Sequence, residues 1–188
     1  MSKYWTVQHK EILKIIEREG IYKPDIYKSD FIKTDPKLKN LYNFVRESFN
    51  DVNGTNVNGL IFSFAFSEGM MIYHFESYSE FQQHIRENKE AILSLWNHYN
   101  PDDYVIMELE YDNTFNPLFI DINDFQALMP PIMILPPYFK EDLNNIIENL
   151  RVGRATASIF PSHLIQAHLP YIERENIINL YPYFALED

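Results

Sequence analysis

The sequence contains no cysteine, and this absence excludes disulfide bonds, thiolate metal ligands and a thiol nucleophile. Its five glycines form neither a GxGxxG nor a GxxxxGK pattern, so the chain lacks the usual phosphate-binding loops. It also has no HExxH or GxSxG motif, and its six histidines show no metal-ligand spacing. We therefore expect no bound metal and no serine-hydrolase elbow.

Long apolar runs are absent as well. None approaches the roughly 20 residues that cross a bilayer, and charged side chains interrupt the N-terminal segment before a signal-like stretch develops. We expect a cytoplasmic protein without a membrane partner, and the lack of cysteine fits a reducing compartment.

Positive charge is scarce. The chain carries 16 Lys and Arg against 27 Asp and Glu, for a net charge of −11, which argues against nucleic acid as the main partner. Residues 1–50 hold ten basic and seven acidic side chains, whereas residues 51–188 hold six and twenty. The N-terminal part is thus suited to an anionic ligand, and the acidic remainder to a basic protein partner or simply to solubility.

What the chain does have is apolar and aromatic material in short periodic runs. Of its 188 residues, 46% are hydrophobic and 15% aromatic, which is enough for one domain with a proper core. Strand patterns occur at 4–8, 60–66, 70–75, 104–111, 118–121, 164–169 and 177–183. Helix patterns occur at 12–16, 36–49, 79–96, 123–129 and 140–150. We predict a single α+β domain over residues 1–188, with a mixed or antiparallel sheet flanked by helices.

Local signals define several boundaries. Gly20 is predicted to end the first helix in the left-handed conformation. Asp35 and Pro36 open the next helix as its cap and its first helical residue. Two proline pairs bracket residues 132–135 and predict a stiff extended crossing.

Two carboxylates stand out in the strand predicted at 104–111. Glu108 and Glu110 share one face, opposite to Val105 and Met107. Paired carboxylates that face a cleft suit acid–base chemistry, so both are candidate bases. The alternative is that the alternation places charge on the solvent side of the sheet.

Two glutamines occur inside strand-like apolar runs near the ends of the chain, Gln8 and Gln166. A buried amide needs hydrogen-bond partners, and it can read a ligand because it offers both a donor and an acceptor. Our hypothesis is that the fold brings both amides into one cleft. The alternative is that each bridges backbone groups at a sheet edge.

Two cationic positions are further candidates for ligand binding. Arg46 lies one helical turn from Tyr42 on the same face, where it either meets an anion or pairs with Glu47 or another neighbour. Arg154 belongs to a loop of small residues at 153–158, which either binds phosphate or carboxylate through the guanidinium or is an ordinary surface loop.

Several short motifs resemble an uncharacterised bacterial domain-of-unknown-function family. They are Trp5-Thr6-x-Gln8 ahead of a helix, the runs 105–110 and 119–125, and Ile165-Gln166-Ala167 near the end. The resemblance covers nearly the whole chain and implies one domain, and that family carries no established activity.

A second resemblance is to the ADP-ribosyltransferase-like fold, through the run Gln166-Ala167-His168 followed by Pro170 and Ile177-Ile178. It is similar to the late strand that carries the catalytic glutamate of such enzymes. That glutamate is replaced here by Gln166 or His168, and the first-strand histidine or arginine by Thr6 or Gln8. The resemblance implies an NAD pocket with Gln166 at the catalytic position, in which the transfer reaction is lost or replaced by a different one.

Three functional hypotheses follow. In the first, a cleft binds NAD or a related nucleotide, Glu108 or Glu110 serves as a base, and the lining residues are Trp5, Gln8, Tyr42, Arg46 and Gln166. In the second, the chain is a non-enzymatic binding or inhibitor protein whose acidic surface meets a basic protein partner. In the third, it is a structural or oligomeric component with an aromatic interface at Tyr22, Tyr27 and Phe31.

Overall fold

The main element of the fold is an antiparallel sheet. The computed structural model describes residues 1–29, 36–97, 99–112, 114–130, 138–156 and 160–186. The strands are β1 (Ser2–His9), β2 (Ile21–Tyr22), β3 (Ile61–Glu68), β4 (Met71–Tyr73), β5 (Tyr104–Tyr111), β6 (Leu118–Asp121), β7 (Leu164–Leu169), β8 (Ile172–Glu173) and β9 (Ile177–Pro182). The α-helices are α1 (Glu11–Glu19), α2 (Pro36–Asn53), α3 (Tyr78–Glu87), α4 (Lys89–Trp96), α5 (Ile122–Ala127) and α6 (Lys140–Arg151).

The main sheet has the strand order β6-β7-β3-β1-β5-β9, and β4 pairs with β3 as a short hairpin. Strands β2 and β8 form a separate two-stranded ribbon. Each of these described pairings is antiparallel. The predicted α+β class is therefore confirmed, with an antiparallel sheet flanked by helices.

The register assigns each strand residue to one of two faces. Trp5 lies opposite both Phe64 and Glu108, and Phe64 in turn lies opposite Gln166. Residues directly opposite each other in neighbouring strands point to the same side of a sheet. These four residues therefore share a face, which we call the Trp5 face. The other face carries Met107 and is called the Met107 face.

Both faces are covered. On the Trp5 face, helices α2 to α6 supply the apolar side chains that bury the sheet, among them Val45, Phe81, Trp96 and Phe125. On the Met107 face, α1 contributes Ile16. Burying a large apolar side chain stabilises the fold by about 1.5–3 kcal/mol, so these contacts stabilise the packing of the helices on both faces of the sheet.

Most predicted helix ends agree with the structure. Gly20 ends α1 with a φ of 79°, and its N–H donates to the carbonyl of Ile16 at 2.8 Å. The helix predicted over 79–96 is instead two helices that meet at Asn88, and its cap is Ser77, whose hydroxyl accepts from the N–H of Glu80 at 3.2 Å.

Some predictions fall outside the described residues. They are the cap at Asp35, the crossing at 132–135, the aromatic residue Phe31 and the end of the 153–158 loop. Among the helices that the structure does describe, none is long and apolar enough to cross a membrane.

Candidate functional site

A groove lies at the end of the sheet where β1 ends and β3 and β5 begin. Its larger section encloses about 640 Å³ between α1, α2 and the loop after β2. Its smaller section encloses about 460 Å³ and reaches the end of β1 and the start of β5. The sections are neighbouring parts of one cleft because the same five residues line both: Tyr22, Pro24, Ser29, Leu60 and Phe62. We call this cleft the end groove, and each section has the size of a small-molecule site, typically about 300–1,000 Å³.

Aromatic rings form much of the wall of the end groove. Tyr42 of α2 packs against Phe62 with ring centroids 5.4 Å apart in the larger section. In the smaller section, Tyr104 contacts Tyr99 at 4.8 Å and His9 at 5.2 Å. Such walls suit a planar aromatic ligand, which gains from stacking and edge-to-face contacts.

The larger section also carries the groove's cations. Arg18 pairs with Glu19 at 2.6 Å, and Lys28 pairs with Asp25 at 3.5 Å. Lys23 lines the same section, is exposed, and makes no ion pair with any residue in the described ranges. The larger section therefore has an available positive charge next to its aromatic wall, in a chain that is otherwise strongly acidic.

Gln8 lines the smaller section and is held by a chain of two hydrogen bonds. The hydroxyl of Thr6 donates to the carbonyl of Phe62 at 2.6 Å, and the Nε2 of Gln8 donates to that hydroxyl oxygen at 2.7 Å. Thr6 is fully buried, whereas Gln8 is half-buried. The amide of Gln8 thus has a fixed orientation at the edge of the groove.

Two phenols remain protonated in the groove at neutral pH. Burial raises the pKa of Tyr42 to about 12. Burial also raises the pKa of Tyr99, and the nearby phenols of Tyr104 and Tyr42 raise it further. These side chains act as neutral groups toward a ligand, and neither is suited to be a base.

The wall that closes the groove is a loop fastened to the start of β3. The N–H of Ile26 donates to the carbonyl of Asn58 at 3.1 Å. Next to this bond, Gly59 lies so close to the loop that a Cβ atom on it would stand 2.8 Å from the carbonyl oxygen of Pro24. The loop keeps its position because residue 59 has no side chain.

Of the predicted ligand-binding residues, Gln8 and Tyr42 line the groove. Arg46 lies on the same helix as Tyr42, but its guanidinium packs 5.9 Å from the ring of Tyr27 and donates to the carbonyl of Val57 at 3.4 Å. Its pairing with Glu47, at 3.4 Å, is the contact that the sequence offered as the alternative.

The hypothesis that Gln8 and Gln166 share a cleft is wrong. Gln166 lies on the Trp5 face, opposite Phe64, whereas Gln8 is three residues from Trp5 and so points to the Met107 face. Gln166 is buried, and its Oε1 has no hydrogen-bond partner among the residues that the structure describes. Trp5 is also fully buried, stacked on Phe81 with centroids 5.2 Å apart, and it does not line the groove.

The carboxylates of β5 do not face a cleft either. Glu108 is buried on the covered Trp5 face, where it lies 3.3 Å from the Nζ of Lys3 and accepts hydrogen bonds from Asn179 at 2.8 Å and Tyr181 at 3.2 Å. The predicted solvent exposure is therefore wrong for Glu108, whose buried carboxylate is in contact with Lys3 of β1 and with Asn179 and Tyr181 of β9. Glu110 is half-buried at the rim of the same face and lies outside the end groove.

Arg154 belongs to a helix end. Gly153 has a φ of 70° and donates to the carbonyl of Leu150 at 3.1 Å, and the N–H of Arg154 donates to that of Asn149 at 2.9 Å. This pair of bonds is a Schellman motif, which explains the glycine at the end of α6. The side chain of Arg154 is exposed and does not line the end groove, so the ordinary-loop alternative describes its surroundings.

Sequence reasoning did not single out several polar and aromatic groove residues, among them His9, Lys23, Tyr99 and Tyr104. The excess of basic residues over 1–50 was the signal for Lys23, since the larger section is lined mainly by that part of the chain. Tyr99 and Tyr104 had no such signal, because only the pairing of β1 with β5 brings them to Gln8. Within the described ranges, no cluster of three His, Asp or Glu side chains is arranged to hold a metal ion.

Comparison of the chain with protein-family models, with curated proteins and with solved structures finds no match. The two resemblances inferred from the sequence motifs therefore stay predictions.

Proposed function

We propose that the chain binds a nucleotide, such as NAD or a related adenine nucleotide, in the end groove. The observation that carries the proposal is the continuity of the groove, which joins an aromatic section to a section with an available cation. A nucleotide has the same two parts, a planar base and an anionic phosphate.

The chemistry of the walls suggests an orientation for the ligand. The base would lie in the smaller section, against Tyr99 and Tyr104 and beside the amide of Gln8. The phosphate would lie in the larger section near Lys23, whose charge remains there because Arg18 and Lys28 are paired with Glu19 and Asp25. Residues 51–188 carry a charge balance of −14, whereas residues 1–50, which supply most of the lining of the larger section, carry a balance of +3.

The groove residues support binding, and we propose no transfer reaction there. Glu108 and Gln166 are buried on the Trp5 face, and neither lines the groove. The groove does contain His9, whose Nδ1 accepts the N–H of Glu11 at 3.2 Å. The other ring nitrogen therefore carries the proton in the neutral form, which makes it a donor toward a ligand.

The test is thermal unfolding with NAD, AMP, adenosine or inorganic phosphate at millimolar concentration. A ligand at about 100 times its dissociation constant adds roughly 2.7 kcal/mol to the free energy of unfolding, which raises Tm by several degrees in a chain of this length. We expect AMP and NAD to raise Tm most, with adenosine and phosphate each giving a smaller shift.

Matched variants locate the site. Gln8→Ala should reduce the shifts with AMP and adenosine, and Lys23→Ala should reduce the shift with AMP while leaving that with adenosine unchanged. Gln83→Ala and Lys140→Ala remove the same side-chain types from exposed positions outside the groove and should change neither shift. Absence of any nucleotide shift in the folded protein would overturn the proposal, and a basic protein partner for the acidic part of the chain would then be sought.

A further inference from the structure

The hydrogen-bond chain beneath the groove restricts how Gln8 can meet a ligand. Thr6 has one hydroxyl hydrogen, and the carbonyl of Phe62, 2.6 Å away, can only accept it. The hydroxyl oxygen is then left with lone pairs toward Gln8, which must present its Nε2 group to it, as the distance of 2.7 Å indicates. A flipped amide would put two acceptors against each other.

This arrangement leaves Oε1 of Gln8 directed away from Thr6. Within the part of the chain that the structure describes, Oε1 makes no hydrogen bond. It is nevertheless not a buried atom, because the buried side-chain atoms without a partner do not include it. It is therefore accessible from the groove that Gln8 lines. An amide that could rotate freely would offer a donor or an acceptor to suit either ligand, whereas the locked one offers an acceptor at a fixed place.

We infer that Thr6 locks the amide of Gln8 and so makes the groove select a base with an exocyclic amine, of the adenine type, over one with a carbonyl at the same position. This inference rests on the proposed nucleotide function and names the class of base. In a 6-aminopurine the amine donates to Oε1, and the adjacent ring nitrogen accepts from the amide N–H. In a 6-oxopurine both roles are reversed, because the carbonyl accepts and the adjacent ring N–H donates. Oε1 of the locked amide would then face the carbonyl oxygen, and the amide N–H would face the ring N–H.

Thr6 acts here as a positioning residue. It is fully buried and does not line either section of the groove, so it does not touch the ligand. Its role is to hold the amide of Gln8, which lies on the same face of β1, in one of two orientations that have similar shapes. Selectivity of this kind comes from the unfavourable pairing with the wrong base as much as from contact with the right one.

The first measurement compares the dissociation constants of AMP and IMP for the unmodified protein by calorimetry. The two ligands share shape, ring stacking and phosphate, so their ratio reports the base edge alone. We expect IMP to bind at least roughly tenfold more weakly, the discrimination typical of a well-placed amide pair. Equal binding would overturn the inference and leave the proposed function standing, whereas binding of neither ligand would overturn both.

The second measurement uses Thr6→Val, which keeps the shape of the side chain and removes the hydroxyl. The amide of Gln8 can then rotate, so the ratio of the IMP and AMP dissociation constants should fall to within about threefold, mainly through tighter binding of IMP. Thr6→Ser keeps the hydroxyl and should keep the ratio of the unmodified protein. If Thr6→Val does not fold, Thr6→Ala removes the same hydroxyl without adding volume. A hydroxyl-free variant that binds both ligands more weakly at an unchanged ratio would overturn the positioning role.

Discussion

The backbone of Gly59 lies directly against Pro24. A Cβ atom at position 59 would be 2.8 Å from the carbonyl oxygen of Pro24 and 2.9 Å from its carbonyl carbon. Both contacts are with backbone atoms, which cannot rotate aside as the end of a side chain can. Because Pro24 lines both sections of the end groove, the shape of the groove depends on the missing side chain at position 59.

Gly59→Ala should therefore displace the loop and weaken both folding and binding. Overpacking of this kind costs roughly 1–3 kcal/mol, which urea unfolding would measure. We also expect a weaker thermal shift with AMP, because the bond from Ile26 to Asn58 holds the same loop. Gly54→Ala is the control. The φ of Gly54 is 62°, and no atom of the described residues lies within 4 Å of a Cβ placed on it, so this variant should lose stability through backbone strain yet bind AMP normally. Equal loss of AMP binding in both variants would contradict this role of Gly59.

His168 should make the stability of the fold fall at mildly acidic pH. Burial lowers its pKa from 6.5 to about 4, and the hydrogen bond to the carbonyl of Leu118 opposes this only in part. Below pH 6.5 the unfolded chain binds a proton that the folded chain does not accept until about pH 4. The free energy of unfolding should therefore decrease by about 3 kcal/mol as the pH falls through this window, and His168 should impose no such loss above it.

Urea unfolding between pH 7.5 and pH 4 provides the measurement, with His168→Asn as the comparison. This variant retains a donor for Leu118 but does not titrate, so its stability should depend less on pH even though it is lower at pH 7. Subtracting the two profiles removes the contribution of other groups, including the buried Asp121, whose pKa burial raises. Parallel profiles would show that His168 is protonated at the same pH in both states.

Glu108→Gln separates a structural carboxylate from a functional one. The change removes the attraction to Lys3, 3.3 Å away, while Asn179 and Tyr181 can still donate to the amide oxygen. We expect a loss of roughly 1–2 kcal/mol in unfolding free energy with no change in AMP binding, because Glu108 lies outside the groove. Glu110→Gln on the same face should change stability by less than about 0.5 kcal/mol. Loss of ligand binding without loss of stability in Glu108→Gln would return this residue to the list of candidate site residues.

Thr156 should stabilise the outer edge of β6. Its hydroxyl oxygen accepts the N–H of Asp121 at 2.9 Å, and its own N–H donates to the carbonyl of Phe119 at 3.2 Å. Thr156→Val leaves the buried N–H of Asp121 without an acceptor, which should cost about 1–3 kcal/mol and speed hydrogen exchange at that amide. Thr156→Ser retains the acceptor and should preserve slow exchange. Unchanged exchange in the valine variant would indicate that another group protects the amide.

The strands were predictable, but the neighbours of each strand were not. Period-two patterns and apolar runs located β1, β5 and β7 because burial of alternate residues is recorded within each strand. Whether Gln8 and Gln166 share a face depends on register across β1, β3 and β7, and each one-residue step reverses the answer. No local pattern contains that register, so the shared cleft could not be tested from the sequence.

Glu108 shows a different limit. A strand with charge on one side usually has that side in water, and the sequence favoured this interpretation. In the structure α3 and α4 pack on the Trp5 face. The carboxylate is paired with Lys3 of β1 and accepts hydrogen bonds from Asn179 and Tyr181 of β9. Those partners come from the two ends of the chain, so nothing near Glu108 in sequence indicates that the charge is neutralised.

The central place of β1 in the sheet has a consequence for how the chain acquires its structure. During synthesis β1 emerges before both of its neighbours. Trp5 therefore has no cross-strand partner until Phe64 of β3 and Glu108 of β5 have been synthesised. A nascent chain that ends before β5 has a β1 with one unmatched edge and an aromatic side chain on a half-covered face. Because these pairings close long loops, the sheet should assemble slowly and late compared with a helical bundle of equal length. Incomplete chains should consequently depend on chaperones more than the finished protein does.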